Sequence, residues 1–238
     1  MELTIFSDIT VLFALPDEAR AFQATKISKQ VRVAISGMGA ANTIEAMELL
    51  FRDDARGEIL LVCGFAGGLQ EDLPVGTVVM VESVTSSEAP KKVFKADARL
   101  LSAATSVAVS DLKIVKGKLA SVQKVLTTGD EKRACAKQTG AIAVDMETFT
   151  AMKTAKEMGV RCLAVRVITD VVDDTLPLDF NAFTNAQGEP DRGKIIAHLL
   201  LHPRKILPLI RLGARASFAA KNLAVYLEGV FMTESLVP

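Results

Sequence analysis

Four acidic side chains in this chain of 238 residues stand just beyond apolar segments that have the composition of β-strands. Glu18 comes shortly after ITVLFAL, Asp145 and Glu147 follow AIAV, and Asp170 follows RVIT. Each carboxylate alone is typical of a helix cap or a solvated turn. Together at one rim of a parallel sheet, they could donate a proton and stabilise an oxocarbenium-like transition state. The pattern therefore favours acid-assisted cleavage of a glycosidic bond.

Other chemistries receive less support from the sequence. The segment Gly37-Met-Gly39-Ala-Ala-Asn42 lacks the third glycine of a dinucleotide-binding motif, and no GxxxxGK[ST] motif occurs. Gly64-Phe-Ala-Gly67-Gly68 could bring backbone amides close to a ligand, although a tight turn explains it equally well. The two histidines, His198 and His202, have no acidic third ligand nearby. We therefore expect no metal site and no Ser–His or Cys–His nucleophile.

The elements that would position the carboxylates alternate between apolar strands and helices. Strands are predicted over residues 9–15, 31–36, 59–65, 76–84, 112–122, 141–146 and 162–169, with helices opening near residue 16 and covering 40–51 and 147–158. This alternation predicts a single α/β domain with a mixed, mostly parallel central sheet that helices flank on both faces. Ligands of such sheets bind beyond the carboxyl ends of the strands, where the acidic residues stand.

Composition limits the class of protein. Half of the residues are hydrophobic and the formal net charge is zero, which argues against a disordered chain and against a nucleic-acid-binding protein. The three cysteines have no CxxC spacing, and the first residues show no secretory signal. We therefore expect a cytoplasmic protein with reduced thiols.

The C-terminal part differs in charge from the rest. Residues 192–226 contain seven Lys or Arg and no Asp or Glu, with Leu and Ile between them. We expect residues 1–190 to form the α/β domain, and residues 191–238 to form a basic amphipathic helical tail that belongs to the same domain. Pro203 and Pro208 predict two or three helical pieces. The tail could contact an anionic membrane peripherally or pack against the sheet, and the sequence leaves both open.

Three ordered motifs carry a resemblance to a known family. The segments Gly64–Leu69 with Val75–Val79, Ala143–Glu147 and Val165–Asp170 resemble the nucleoside phosphorylase/nucleosidase superfamily, and within it the methylthioadenosine/S-adenosylhomocysteine nucleosidases. The basic tail resembles the hopanoid-associated branch, which removes adenine from adenosylhopane. The resemblance implies a nucleoside phosphorylase-like fold, a homo-oligomer, and no cofactor, with phosphate as a conceivable co-substrate.

The resemblance also implies catalytic roles for three acidic residues. Asp170 matches the aspartate that protonates the leaving purine, Glu147 the glutamate that holds the ribose hydroxyls, and Glu18 the glutamate that positions or activates the attacking water. A proton donor must carry its proton at the working pH. Burial beside an apolar strand would keep Asp170 protonated.

Further positions match the binding residues of the family. Met146 matches the methionine packed on the sugar, and Arg166 the arginine that supports this end of the site. Ala66 and Gly67 match backbone positions beside the base and the sugar. Phe65 stands where purine phosphorylases have a Ser or Thr that binds phosphate, which favours water over phosphate as the nucleophile. Arg20 or Arg133 could still supply a cation for phosphate.

The expected function is cleavage of the N-glycosidic bond of a 5′-substituted adenosine, with release of adenine. The resemblance to the hopanoid branch implies a lipid-linked substrate, adenosylhopane, and a shortened loop over residues 128–133 would open the pocket toward it. Two alternatives remain within enzymes, a soluble methylthioadenosine/S-adenosylhomocysteine nucleosidase and a purine nucleoside phosphorylase. A third alternative is a nucleoside-binding protein without catalysis.

Overall fold

The computed structural model describes residues 6, 8–52, 58–178, 180–183, 194, 197–198 and 201–233. Within these residues eight strands form one sheet: β1 (Ile9–Phe13), β2 (Arg32–Ile35), β3 (Ile59–Gly68), β4 (Val78–Ser86), β5 (Ala89–Lys95), β6 (Ile114–Ser121), β7 (Ala143–Asp145) and β8 (Arg161–Asp170). The α-helices are α1 (Pro16–Gln23), α2 (Ala40–Leu50), α3 (Ala98–Thr105), α4 (Gly129–Thr139), α5 (Thr148–Met158) and α6 (Ile206–Met232).

The sheet partly closes on itself. β3 pairs in parallel with β1 on one side and with β8 on the other, and its last two residues pair antiparallel with β7. β8 runs antiparallel to β4, which is parallel to β6, and β6 is parallel to β7. Strands β3, β8, β4, β6 and β7 therefore form a ring, with β1, β2 and β5 attached outside it. Five of the eight pairings are parallel, which confirms the predicted mixed, mostly parallel sheet.

The pairing of β3 with β8 sets the geometry of the site. It begins with Ile59 opposite Arg161 and places Gly64 opposite Arg166. A register shift after Ala66 then brings Gly67 opposite Asp170. Because parallel strands end at the same edge of a sheet, the carboxyl ends of β3 and β8 present their side chains together.

Alternating apolar residues bury the two faces of the sheet under different helices. Ile59, Leu61 and Cys63 of β3 lie in one core with residues of α1, α3 and α6. Leu60 and Val62 point to the other face and pack in a core with residues of α2 and α5. This two-sided burial explains why β3 has a continuous apolar sequence, and it confirms the prediction of helices on both faces.

Three elements were not predicted from the sequence, namely β5, α3 and α4. The shortened loop predicted over residues 128–133 is instead the start of α4. Thr128 accepts a hydrogen bond from the backbone N–H of Glu131, and the Glu131 carboxylate accepts from the N–H of Thr128. This reciprocal pair is a capping box, a signal for a helix start that was visible in the sequence.

The described part of the tail contains helical residues before Pro203 and a long helix after it, but Pro208 does not divide that helix. A short 3-10 turn covers Pro203–Lys205, but α6 then runs without interruption from Ile206 through Pro208 to Met232. Pro208 is the third residue of the helix, where its missing N–H has no intrahelical acceptor in any case. The prediction that Pro208 breaks the helix was therefore wrong.

The two halves of α6 have different surroundings. The C-terminal half packs against the sheet with buried residues that include Ala219, Leu223, Tyr226, Leu227, Val230 and Phe231. The N-terminal half exposes large apolar side chains, Ile206, Leu207 and Ile210, near Arg204, Lys205 and Arg211. In the described part of the chain, no helix is long and apolar enough to cross a membrane.

Candidate active site

A cleft lies around the ends of β3 and β8 and along β7. Seven of the eight predicted site residues line this cleft. The eighth, Arg166, does not, and its side chain is only 1% exposed. The structure thus brings the predicted residues together at the carboxyl ends of the strands, as expected for this kind of sheet. The seven others line the cleft: Glu18, Phe65, Ala66, Gly67, Met146, Glu147 and Asp170.

Glu18 is held by backbone donors from two elements. The N–H groups of Ala14 and Leu15 both donate to its Oε2 at 2.9 Å, and the N–H of Phe65 donates to its Oε1 at 2.7 Å. Burial raises the pKa of this carboxyl group, while Arg166 and the backbone donors oppose the increase. A fixed carboxylate with a raised pKa is suited to accept a proton from a neighbouring group.

Arg166 is held by a buried polar network. Its Nε and Nη2 donate to the Thr148 hydroxyl at 3.0 and 2.8 Å, and Nη2 lies 2.7 Å from Oδ2 of Asp145. Asp145 also accepts from the Ser121 hydroxyl at 2.6 Å and from the N–H and hydroxyl of Thr148. Both oxygens of Asp145 are occupied, so this carboxylate supports Arg166 and is not placed as a proton donor.

The remaining guanidinium nitrogen points toward Glu18. Nη1 of Arg166 is buried and has no hydrogen-bond partner. A Cβ atom built on Gly64 would lie 2.5 Å from this Nη1 and 2.5 Å from Oε1 of Glu18. A buried donor of Arg166 and an acceptor of Glu18 thus converge beside a residue without a side chain.

Glu147 accepts a hydrogen bond from Gly39, in a segment for which the sequence predicted no function. Its Oε1 accepts a hydrogen bond of 2.8 Å from the N–H of Gly39, and Met38 lines the cleft beside it. The backbone of Gly39 therefore faces Glu147. Burial, and secondly the charge of Asp145, raise the pKa of Glu147 to about 7.

Asp170 has a partner that sequence reasoning missed. Nζ of Lys132, from the first turn of α4, lies 2.5 Å from Oδ2 of Asp170, and the Lys132 side chain is 1% exposed. The Thr169 hydroxyl donates to the other oxygen, Oδ1, at 2.9 Å. A cation and a hydroxyl donor therefore face the two oxygens of Asp170.

The cleft combines its charged groups with an apolar lining. A flat, uncharged ring would contact apolar side chains and meet polar groups only at its edges. The apolar lining comes from Val122, Val125, Leu126, Val144 and Leu176. The arrangement can therefore deliver a proton to the edge of a ring and stabilise positive charge on a group next to it.

The phosphorylase superfamily matches residues 14–200, more than three quarters of the sequence. This chain belongs to that superfamily. The match confirms the predicted superfamily and an enzyme of the nucleosidase and phosphorylase type. It includes every predicted site residue.

Relatives within the superfamily are distant in sequence. One relative is the 5′-methylthioadenosine/S-adenosylhomocysteine nucleosidase of Exiguobacterium sp. (strain ATCC BAA-1283 / AT1b). The two sequences are 26% identical over 173 residues, and the aligned region covers 65% of this chain and 73% of the relative. The fold is similar to that of the corresponding nucleosidase of Neisseria meningitidis in complex with methylthio-immucillin-A, with a TM-score of 0.71, 17% identity, and coverage of 97% and 100%. Futalosine hydrolase of Helicobacter pylori has a TM-score of 0.68, 16% identity, and coverage of 94% and 97%.

The two arginines that the sequence offered for phosphate binding, Arg20 and Arg133, do not line the cleft. Arg20 pairs with Asp17 on the exposed side of α1, and Arg133 pairs with Asp173. Among the described residues that line the cleft, Lys132 is the one cation, and it is paired with Asp170.

Proposed function

We propose that this enzyme hydrolyses the N-glycosidic bond of a 5′-substituted adenosine and releases adenine. The observation that carries the proposal is the spacing of the two reactive ends along β3. Glu18 and Arg166 meet beside Gly64, and a Cβ on Gly67 would lie 3.1 Å from Oδ2 of Asp170. Three residues of extended strand separate these points by about 10 Å, which leaves room for a base at one end and a sugar at the other.

The mechanism follows from these positions. Protonation of the imidazole ring of the purine at the Asp170 end converts a poor leaving group into a neutral base. As the bond to C1′ breaks, positive charge develops on the sugar, where the carboxylate of Glu147 would accept the ribose hydroxyls and stabilise the charge. Glu18 would take the proton of the attacking water, which its raised pKa favours.

Water is the proposed nucleophile rather than phosphate. Phosphate binding calls for several donors or cations, usually with bidentate guanidinium contacts. Phe65 offers no side-chain donor near the sugar, and Arg166 already bonds Thr148 and Asp145. Its remaining nitrogen, Nη1, is buried and would offer too few donors to hold a dianion.

We propose adenosylhopane as the substrate, with the start of α6 as the surface that contacts the membrane. This segment combines exposed apolar side chains, Ile206, Leu207 and Ile210, with Arg204 and Lys205. A helix of that composition binds an anionic bilayer through apolar insertion and electrostatic attraction. Methylthioadenosine or S-adenosylhomocysteine is the second candidate substrate, which the names of the relatives favour.

The test of the function measures free adenine from adenosylhopane and from methylthioadenosine, each with and without phosphate. Release without phosphate supports hydrolysis, and a rate that requires phosphate contradicts it. The Asp170→Asn variant is nearly isosteric and cannot carry the proton, so we expect adenine release to fall about 100- to 10,000-fold with little change in binding. Binding without release in the unchanged protein would favour a nucleoside-binding protein.

A separate experiment tests the membrane contact. We expect the protein to sediment with vesicles that contain anionic lipid at low salt, and the double variant Leu207→Ser with Ile210→Ser to sediment less. Val225→Ser is the matched control, since Val225 is also an exposed apolar residue of α6 but lies in the half packed on the sheet. Equal sedimentation of all three proteins, or none by the unchanged protein, contradicts the contact.

A further inference from the structure

Lys132 is a buried cation in the cleft whose donors are all used. Its Nζ donates to Oδ2 of Asp170 at 2.5 Å, to the carbonyl of Val171 at 2.7 Å, and more weakly to the carbonyl of Asp174 at 3.5 Å. An ammonium group has three donors and no acceptor, so this set is complete. Lysine is rarely buried unless it is paired, and the pairing here falls on the residue placed to protonate the base.

The second oxygen of Asp170 is also occupied. Oδ1 accepts from the hydroxyl of Thr169, and that hydroxyl also lies 3.4 Å from the carbonyl of Ala66. Donors therefore occupy both oxygens of Asp170. The transferable proton nearest to the base is therefore on Nζ of Lys132.

We propose that Lys132 is a positioning residue that acts through Asp170 and supplies the proton that leaves with the base. The inference rests on the proposed function and adds the source of the proton. The proton moves from Nζ to Oδ2 of Asp170 and from there to the ring nitrogen. The bond between C1′ and the purine breaks, and its electron pair stays on the purine.

The remaining charges balance within the site. Lys132 is left as a neutral amine and Asp170 again as a carboxylate. The water that attacks C1′ forms the new C–O bond and gives one proton to Glu18. Solvent then returns a proton to Lys132 and accepts the one from Glu18, so the enzyme regains its starting charge.

This arrangement extends the range of pH over which the site can donate a proton. A carboxyl group without a cationic neighbour loses its proton at about pH 4, whereas a primary ammonium group keeps it to about pH 10. A lysine that only anchored residues 171–174 through its carbonyl contacts would affect stability and would leave the pH dependence of catalysis unchanged. The pH profile therefore separates the two roles.

The experiment compares adenine release from the better substrate by Lys132→Met and Lys132→Arg over a range of pH. The methionine removes the charge with little change in length, and the arginine keeps a charge that cannot be given up. We expect both variants to lose about 100-fold in kcat at pH 7. For Lys132→Met alone, the basic limb of the pH profile moves to lower pH by more than about one unit, because Asp170 must then carry the proton itself.

Lys118→Met is the matched control. Like Lys132, Lys118 donates to a backbone carbonyl, that of Thr139 in α4 at 2.6 Å. Lys118 does not line the cleft. We expect its kcat and pH profile to equal those of the unchanged protein. Urea unfolding and binding of methylthioadenosine at pH 7 show whether each variant is folded. Should Lys132→Met not fold, the arginine variant alone decides.

Three outcomes would overturn the inference. A Lys132→Met variant with the rate and pH profile of the unchanged protein means that Asp170 needs no proton source. A Lys132→Arg variant with the full rate means that the charge alone matters. An unchanged protein that binds nucleosides but releases no base contradicts the proposed function and this inference with it, and it is recognised before any variant is made.

Discussion

The carboxylate of Glu18 accepts a hydrogen bond of 2.7 Å from the backbone N–H of Phe65, 47 positions further along the chain. This bond ties the start of α1 to the end of β3. The other carboxylate oxygen accepts from the backbone of Ala14 and Leu15, so all three of these hydrogen bonds come from backbone donors. Glu18 therefore joins two elements of the fold while it faces the proposed position of the nucleophile.

Glu18→Gln should lower both stability and activity. An amide has one acceptor where the carboxylate has two, so at least one backbone N–H loses its partner, at a cost of about 1–3 kcal/mol in the free energy of unfolding. Loss of the base should reduce kcat by about 100-fold or more. Urea unfolding and adenine release measure the two effects. Asp17→Asn changes the exposed carboxylate next to Glu18 and should leave both stability and activity nearly unchanged. Full activity of Glu18→Gln would exclude the role of Glu18 as the base.

Gly64→Ala should damage the site although it adds a single methyl group. That methyl would lie 2.5 Å from Nη1 of Arg166 and 2.5 Å from Oε1 of Glu18, two groups that the surrounding network holds in place. We expect a loss of about 1–3 kcal/mol in the free energy of unfolding, together with a loss of activity. Gly213→Ala in α6 is the control, since among the described residues no atom outside its own stretch of helix lies within 4 Å of the added methyl. It should leave activity intact and gain up to about 1 kcal/mol. A Gly64→Ala variant as active and stable as the control would contradict the crowding.

The raised pKa of Glu147 should appear in the pH dependence of stability. Its pKa is 4.5 in an unperturbed carboxyl group and about 7 in the folded protein, so the folded state binds this proton more tightly than the unfolded chain. The free energy of unfolding should therefore fall as the pH rises from 4.5 to about 7, by up to about 3 kcal/mol from this residue. Glu18, whose pKa is also raised, contributes with the same sign.

Glu147→Gln should reduce that slope in urea unfolding measured at several pH values. Glu157→Gln, on the exposed side of α5, which follows Glu147, should keep it. The acid limb of kcat/KM should lie near pH 7 if Glu147 must be charged to hold the ribose. A slope that is equal in all three proteins would refute the assignment.

Thr148→Val should loosen Arg166. The hydroxyl accepts from two guanidinium nitrogens and donates to Asp145, and valine of nearly the same shape can do neither. We expect a loss of about 1–3 kcal/mol, because buried donors lose their acceptor. Thr148→Ser keeps the hydroxyl and should retain most of the stability. Equal unfolding free energies for valine and serine would show that the hydroxyl contributes nothing.

The sequence predicted best where burial leaves a strong pattern. The long apolar segments around Ile59 and Cys162 are strands buried on both faces, and the acidic residues after such segments came together because parallel strands end at one rim. β5, by contrast, is an edge strand that pairs only with β4 among the described strands. Its sequence, APKKVFK, shows little alternation of apolar and polar residues, so it gives no clear strand signal. α4 has the polar sequence GDEKRACAKQT, in which helical apolar spacing is weak.

The partner of Asp170 could not be predicted for a different reason. Lys132 lies among charged residues of α4, and a lysine in that setting is expected to be solvated. Lys132 is buried because α4 packs beside β8, whose Asp170 lies 38 positions further along the chain. A contact between such distant residues leaves no signal in the sequence around either of them. The support that Gly39 gives to Glu147 across 108 positions is equally non-local.

The pairing of β3 with β8 has a consequence for how the protein acquires its shape. Ile59 aligns with Arg161 and Gly64 with Arg166, so the two strands whose ends carry the site are made about a hundred residues apart during synthesis. The emerging chain can complete earlier units, such as β1 with β2 and α1, but the floor of the cleft does not exist until β8 has left the ribosome. Contacts between such distant segments slow folding, because a long stretch of chain must be ordered before they form. Catalytic competence should therefore arise late and in a single step, after most of the chain has been made.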